Sequence, residues 1–114
     1  MTFTEYERLA INTAAGASTE SKEGALLNAA LGFAGEGGEI CDKVKKYIFH
    51  GHDPHKEGER EALIGEVGDV MWYCMLACWA LDTTMEQAAK NNVLKLKERY
   101  PNGFSAERSE ARYT

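Results

Sequence analysis

Two pairs of acidic residues stand at helical spacing in segments that are otherwise apolar or small. Glu36 and Glu39 form the first pair, and Glu66 and Asp69 form the second. Residues three apart on a helix are neighbours on one face, with Cβ atoms roughly 5–6 Å apart, so each pair directs two carboxylates the same way. We expect all four to converge. Because buried charge is costly unless it is paired or bound to a metal, they predict a divalent cation where they meet.

The type of ligand indicates which cation such a site would hold. Carboxylate oxygens suit Mg²⁺, with Mn²⁺ as an alternative, and both ions take up substrate phosphates. Di-iron bundles use Glu-x-x-His motifs instead, and no histidine follows these glutamates at that spacing. The competing interpretation is that both pairs line solvated helix faces, as most acidic residues do. Two pairs beside apolar runs favour the metal site.

Basic residues continue the stripe that Glu36 and Glu39 begin. Lys43, Lys46 and His50 follow on the same face of the predicted helix. A phosphate chain could lie along this face, with metal ions at one end and ammonium groups at the other. An ordinary ion pair between Glu39 and Lys43 explains the pattern equally well.

The remaining histidines and the cysteines give weaker signals. His50, His52 and His55 lie in a segment broken by Gly and Pro, which favours loop residues over an organised transition-metal site. Three cysteines without Cys-x-x-Cys spacing argue against a disulfide framework. Cys74 and Cys78 are expected to be small buried hydrophobes.

Length and composition restrict the class of protein. The 114 residues suffice for a single domain, 1–114, and 44% of them are hydrophobic. A net charge of −5 disfavours a nucleic-acid polymer as partner, because phosphate contacts need clustered Lys and Arg. The most apolar stretch, residues 70–81, is too short to span a bilayer, and no signal-like segment begins the chain. We therefore expect a soluble, cytoplasmic protein without a membrane partner.

Apolar periodicity predicts an all-α fold of four helices and no strand. The first opens at the capping box Thr4-x-x-Glu7 and ends near Ala15, and the fourth opens at Thr84-x-x-Gln87 and ends near Arg99. The second and third cover about residues 25–49 and 57–81. Residues 16–24 and the tail from Ser105 are expected to be polar connections.

The second and third helices carry the packing signals. The stripe expected to face the core on the second helix consists of Leu27, Leu31, Ala34, Cys41, Val44 and Ile48. Six glycines surround the acids, and because a mid-helix Gly costs about 0.8–1 kcal/mol relative to Ala, close approach of the two backbones is expected to offset them. Residues 70–81 are apolar on every side, which predicts a homo-oligomer whose partner subunit covers them.

Three blocks of sequence resemble the MazG-like all-α nucleoside triphosphate pyrophosphohydrolases. They are residues 31–39, with Glu-x-x-Glu, residues 63–73, with Glu-x-x-Asp after 26 intervening residues, and residues 92–104. The resemblance covers about residues 25–105. It implies a four-helix bundle-like MazG-type fold that assembles as a homodimer or homotetramer.

The same resemblance implies an activity and a set of site residues. A nucleoside triphosphate, with ribose or deoxyribose, would be hydrolysed to the monophosphate and pyrophosphate, with Mg²⁺ held by Glu36, Glu39, Glu66 and Asp69. Glu36 or Glu39 would take the proton of the attacking water. Asn92, Lys95 and Arg99 would contact phosphates or sugar, joined by Lys43 and Lys46. The alternative is a non-catalytic helical dimerisation module that metal stabilises, against which the four intact acids argue.

Overall fold

The computed structural model describes residues 1–14 and 19–111, and in these residues the fold is all-α, as predicted. No strand occurs among them. The helices are α1 (Phe3–Ala10), α2 (Lys22–Phe49), α3 (Glu59–Ala80), α4 (Met85–Arg99) and α5 (Ala106–Ala111). A 3₁₀ turn, Ile11–Thr13, follows α1. The predicted end of the first helix near Ala15 and positions 16–18 of the predicted connection lie outside the described residues.

The capping box of α1 lies two residues earlier than predicted. The Thr2 hydroxyl accepts a hydrogen bond from the Glu5 backbone N–H at 3.1 Å, and the Glu5 carboxylate accepts one from the Thr2 N–H. Glu7, predicted as the box glutamate with Thr4, instead accepts from the Met85 backbone N–H at 2.8 Å. It therefore links α1 to the first turn of α4.

Side-chain caps also set the starts of α2 and α4. The predicted cap of α4 is confirmed, because the Thr84 hydroxyl accepts from the backbone N–H of Gln87. Ser21 accepts from the Gly24 N–H, so α2 begins at residue 22, three residues before the predicted start. The predicted polar tail from Ser105 is wrong in part, because residues 106–111 form the short helix α5.

The two long helices, α2 and α3, pack antiparallel and are joined at both ends. Near the start of α2, the Lys22 ammonium donates to the Trp79 carbonyl at 3.0 Å and pairs with Asp82 at 3.1 Å. Near its end, the Tyr47 hydroxyl donates to Glu59 Oε2 at 2.9 Å. These contacts fix how the two helices lie along each other, and hence which acids face each other.

Small residues of α2 form its contact with α3. Ala25 and Ala29 are fully buried against Leu76 and Ala80. The larger stripe that the sequence assigned to the core points away: Leu27, Leu31 and Ile48 are 62%, 65% and 66% exposed. That expectation is wrong within this chain. Periodicity identifies an apolar face but does not say what covers it.

Close approach of the helices occurs at one of the six glycines. A Cβ at Gly32 would lie 2.3 Å from the ring of Tyr73, so only Gly accommodates the ring there. Around the other five, the structure leaves open space: Gly35, Gly37, Gly38, Gly65 and Gly68. The expectation of close approach is therefore confirmed at Gly32 and wrong at the rest within this chain.

The chain itself covers part of the apolar end of α3. Met75, Leu76 and Cys78 are buried, partly beneath α1 and α4, and the Trp72 indole N–H donates to the Thr13 hydroxyl at 2.7 Å. Met71 and Leu81 remain 36% and 60% exposed, so the expectation that a partner subunit covers residues 70–81 stays a prediction. By length and composition α3 could cross a membrane, at a mean hydropathy of 1.2, but core helices of soluble proteins meet the same criteria.

Candidate metal centre

Helices α2 and α3 bring together three of the four predicted carboxylates. Glu36 follows Gly32 by one turn, on the face of α2 that packs against α3. Oxygens of Glu36, Glu39 and Glu66 all lie within 4.8 Å of one another. Asp69 is exposed and lies outside this group, so the expected convergence of four carboxylates holds for three.

Two oxygens of this acidic cluster have no hydrogen-bond donor among the described residues. Glu36 and Glu66 are half-buried, and Oε2 of each is shielded from solvent without a partner. An ionised carboxylate can only accept hydrogen bonds, so these oxygens can bond to each other only while one carries a proton. The cluster therefore requires either a shared proton or an added cation.

The pKa values of two carboxyls in the cluster are raised, because their negative charges lie close together. The pKa of Glu66 is raised, first because its protonated form can donate a hydrogen bond to the Glu36 carboxylate, and also because partial burial disfavours its charge. The pKa of Glu39 is raised chiefly by its hydrogen bond to Glu66 and by repulsion from that charge, while Lys43 acts in the opposite direction. Both carboxyls retain a proton more readily than free glutamates do.

The arrangement fits a hard divalent cation. The facing oxygens of Glu36, Glu39 and Glu66 come from two helices, and the two donorless oxygens are the kind of atom that such an ion would satisfy. Asp69 is one turn along α3 from Glu66. Its charge acts on Glu39 and Glu66 and also contributes to the raised pKa of Tyr6, which is due mainly to burial. Asp69 thus acts electrostatically from the edge of the cluster.

An open cavity of about 500 Å³ adjoins the acids. Its lining consists of Gly35, Gly38, Glu39, Asp42, Lys43 and Glu66. Lys43 forms no ion pair in the part of the chain that is described, so the alternative of a Glu39–Lys43 pair is not realised there. Lys46 instead pairs with Asp42 at 2.8 Å, and this contact, with a second from Lys45, lowers the pKa of Asp42.

Sequence reasoning overlooked Asp42 as a member of this site. It follows Glu39 by three residues and extends the Glu-x-x-Glu pair into a third acidic position on the same face. The three-residue spacing from Glu39 to Asp42 would have identified it. Its pairing with Lys46 shows that this lysine is held beside the cavity by an acid that was not considered.

The basic residues of α4 lie apart from the acids in the single chain. α4 packs against α1 and α3, Asn92 and Lys95 are exposed, and no described contact joins them or Arg99 to the acidic cluster. Lys95 and Arg99 line a separate cavity of about 520 Å³ with Glu98 and Arg108. Arg108, from α5, donates to the carbonyls of Glu98 and Arg99 and was not singled out in the sequence.

Among the described residues, the group able to hold a metal is acidic and contains no histidine. The backbone N–H groups of His50 and His52 close the end of α2 on the Lys46 carbonyl. Of the three cysteines, Cys78 is buried as predicted, Cys74 is half-buried, and Cys41, predicted to face the core, is exposed. All three are free, and burial raises the pKa of the Cys74 and Cys78 thiols.

Comparison with known proteins gives two matches. The sequence model of the MazG nucleotide pyrophosphohydrolase domain matches residues 26–104, more than half of the chain and close to the predicted 25–105. The Gene 37 protein of Mycobacterium phage L5 is 36% identical over 73 residues, which are 64% of each chain. This chain therefore spans just under two thirds of that curated relative. No solved structure matched.

Proposed function

We propose that this chain, which belongs to the MazG nucleotide pyrophosphohydrolase domain family, hydrolyses nucleoside triphosphates to monophosphates and pyrophosphate with Mg²⁺. The observation that carries the proposal is the acidic cluster. Three carboxylates from two helices meet within 4.8 Å, and two of their buried oxygens have no donor. A purely structural cluster would be expected to pair these oxygens with Lys, Arg or backbone N–H groups.

Each acid has a distinct proposed role. Glu36 and Glu66, with half-buried donorless oxygens, would hold the cation together with Glu39 and Asp69. When bound, Mg²⁺, or Mn²⁺ in its place, supplies Lewis-acid activation of phosphate oxygens and a lowered pKa for water. Glu39 is exposed and its pKa is raised, so it is the better placed of the two candidate bases to take a proton from water.

The basic residues beside the cavity would bind the phosphates. Lys43 lines the cavity and forms no ion pair with any described acid, and Lys46 is held one turn further on by Asp42. In this proposal their ammonium groups lie along the phosphate chain. Three residues of α4 would contact the phosphates or the sugar of the bound nucleotide: Asn92, Lys95 and Arg99. This role rests on the family resemblance, because α4 lies apart from the acidic cluster in the single chain.

The position of cleavage tests the proposal directly. Hydrolysis in ¹⁸O-labelled water should place the label in the nucleoside monophosphate, because attack is at the α-phosphorus and pyrophosphate leaves as a unit. A nucleoside diphosphate with orthophosphate as first products would refute the assignment. A panel of canonical and modified triphosphates, with ribose and deoxyribose, would identify the substrate.

Matched variants separate catalysis from folding. Glu39→Gln and Asp69→Asn should lose most activity, by a hundredfold or so for a lost general base, while circular dichroism stays unchanged. Glu61→Gln, an exposed acid on α3 outside the cluster, should retain activity. If no triphosphate is turned over and Mg²⁺ changes only the melting temperature, the chain is instead the non-catalytic helical module.

A further inference from the structure

The charge of α2 changes sign beside the cavity that adjoins the acidic cluster. The acids lie at one end, and Lys43, Lys45 and Lys46 follow towards the end of the helix. Asp42 lies between the two groups and lines the cavity. Its Oδ2 lies 2.8 Å from the Lys46 ammonium, and its Oδ1 lies 3.3 Å from that of Lys45. Asp42 is thus an acid of the site that pairs with two lysines of its own helix.

These ion pairs set Asp42 apart from the other acids. Three carboxylates meet within 4.8 Å, and Asp42 is not among them. Its contacts with Lys46 first, and then with Lys45, hold the pKa of the Asp42 carboxyl below its usual range. It therefore stays ionised at neutral pH and keeps both lysines. The effect of Asp42 on the site is exerted through the side chains that it holds.

Stability of the fold does not explain these pairs. The side chains of Asp42, Lys45 and Lys46 are about half exposed. Exposed pairs along a helix contribute little to stability, because water screens the charges and the long side chains lose rotamer freedom. A lysine that is already held has less freedom to lose when it binds a ligand, which favours binding. The pair with Asp42 therefore matters more for a ligand of Lys46 than for folding.

Lys46 lies where the far end of a bound phosphate chain would be. It follows Glu39 by seven residues, which is about 10 Å along the axis of α2. Lys43 is one turn nearer to the acids and lines the cavity. If the cation at the acids holds the α-phosphate, a triphosphate runs along α2 past Lys43 and ends at Lys46. A monophosphate does not extend that far.

We propose that Asp42 is a positioning residue that holds Lys46 against the distal phosphates of a nucleoside triphosphate. This role rests on the proposed function, because it takes the acidic cluster as the end of the site that holds the cation. Asp42 itself contacts neither the phosphates nor the cation. It orders Lys46 before the substrate arrives, and so favours a triphosphate over nucleotides with shorter phosphate chains.

Neutralising Asp42 separates positioning from simple electrostatics, because the two predict opposite changes in KM. If Asp42 were only a nearby negative charge, Asp42→Asn would remove a repulsion of the phosphates and lower KM. If Asp42 positions Lys46, the same change frees the lysine and raises KM. We expect KM for the triphosphate to rise about three- to tenfold, the cost of immobilising one long side chain. The value of kcat should stay unchanged, because the three clustered acids are intact.

Three further variants identify Lys46 as the residue through which Asp42 acts. Asp42→Glu keeps an acid four residues before Lys46, a spacing that favours the ion pair, and should restore the KM of the unchanged protein. In a Lys46→Gln background, adding Asp42→Asn should raise KM no further. As a matched control, Glu86→Gln removes an exposed pair with Lys90 at the same spacing on α4 and should leave KM unchanged.

Binding without turnover keeps the test independent of the reaction. Titration calorimetry with Mg²⁺ and inorganic tripolyphosphate measures affinity for the phosphate chain alone. Asp42→Asn should bind tripolyphosphate about three- to tenfold more weakly, while orthophosphate should bind both proteins equally. If tripolyphosphate binds in this way but no nucleoside triphosphate is hydrolysed, the proposed hydrolysis is wrong and the role of Asp42 stands.

Several results would contradict this role of Asp42. One is an unchanged or lower KM, with unchanged or tighter tripolyphosphate binding, in Asp42→Asn. Another is an equal loss of affinity for tripolyphosphate and orthophosphate, which indicates a general disturbance of the site. A further rise of KM when Asp42→Asn is added to Lys46→Gln shows that Asp42 acts on something else. Failure of the unchanged protein to bind tripolyphosphate also contradicts it.

Discussion

At the scale of residues, the decisive feature is that Glu36 and Glu66 each hold a buried oxygen without a donor. Without a cation, the folded state keeps Glu39 and Glu66 protonated above the pH at which they ionise in the unfolded chain. The folded protein then binds more protons than the unfolded one. Its stability therefore falls as pH rises from the unfolded pKa through the raised folded pKa.

We predict that replacing Glu66 removes most of this pH dependence from the metal-free protein. In EDTA, the unchanged protein should melt several degrees lower at neutral pH than at mildly acidic pH, and Glu66→Gln should flatten that difference. Its amide also supplies the missing donor, so the variant should melt higher at neutral pH. Differential scanning calorimetry checks this, with Glu61→Gln as control. A steeper loss of stability in Glu66→Gln would contradict it.

The sequence predicted the acidic residues but not all of their relations. Spacing of three residues was sufficient to place Glu36 and Glu39 on one face, and their apolar neighbours indicated partial burial. The same spacing did not place Asp69 correctly. Two residues three apart share a helix face but need not reach the same point, and Asp69 lies outside the group formed by Glu36, Glu39 and Glu66. Asp42 was not predicted, because only the spacing between Glu36 and Glu39 was considered and the equal spacing from Glu39 to Asp42 was not.

At the scale of elements, α2 shows what periodicity can and cannot decide. It predicted a continuous helix through Gly35, Gly37 and Gly38, and the helix is present. It assigned the core to the larger side chains, whereas Ala25 and Ala29 form the buried face. The small residues permit α3 to approach α2 closely, and the larger side chains of α2 point away from α3 and are exposed. Which face is internal depends on tertiary contacts that no local pattern contains.

Two glycine substitutions separate packing from helix propensity. Gly32→Ala places a Cβ 2.3 Å from the Tyr73 ring and should destabilise the fold by about 1–3 kcal/mol, because the ring must move. Gly65→Ala, where the structure leaves open space, should stabilise it by about 0.5–1 kcal/mol through helix propensity. Urea unfolding measures both. Equal effects would show that Gly32 is not tightly packed.

At the scale of the whole molecule, the described chain leaves many large apolar side chains exposed. The sequence predicted assembly from residues 70–81, but the chain itself buries Met75 and Leu76 there. Exposed apolar side chains occur on several helices, such as Leu31 on α2, Val67 on α3 and Leu94 on α4. Which apolar side chains stay exposed depends on tertiary packing, and no count of apolar residues supplies that.

An assembled protein should melt at a temperature that depends on its concentration. Because dissociation accompanies unfolding, the melting temperature should rise over a roughly hundredfold increase in concentration. Thermal scans at several concentrations measure it. A melting temperature independent of concentration in the unchanged protein would point to a stable monomer.

The indole of Trp72, held by a hydrogen bond to Thr13, can report metal binding through its intrinsic fluorescence. Trp72 follows Asp69 by one turn of α3, and its N–H is fixed to Thr13. The second tryptophan, Trp79, is two turns further and stacks beneath the Lys22 ammonium, 3.6 Å from its ring centroid. In a Trp79→Phe variant, titration with Mg²⁺ should therefore shift the emission of one indole. Asp69→Asn should abolish that shift, so occupancy can be followed without turnover.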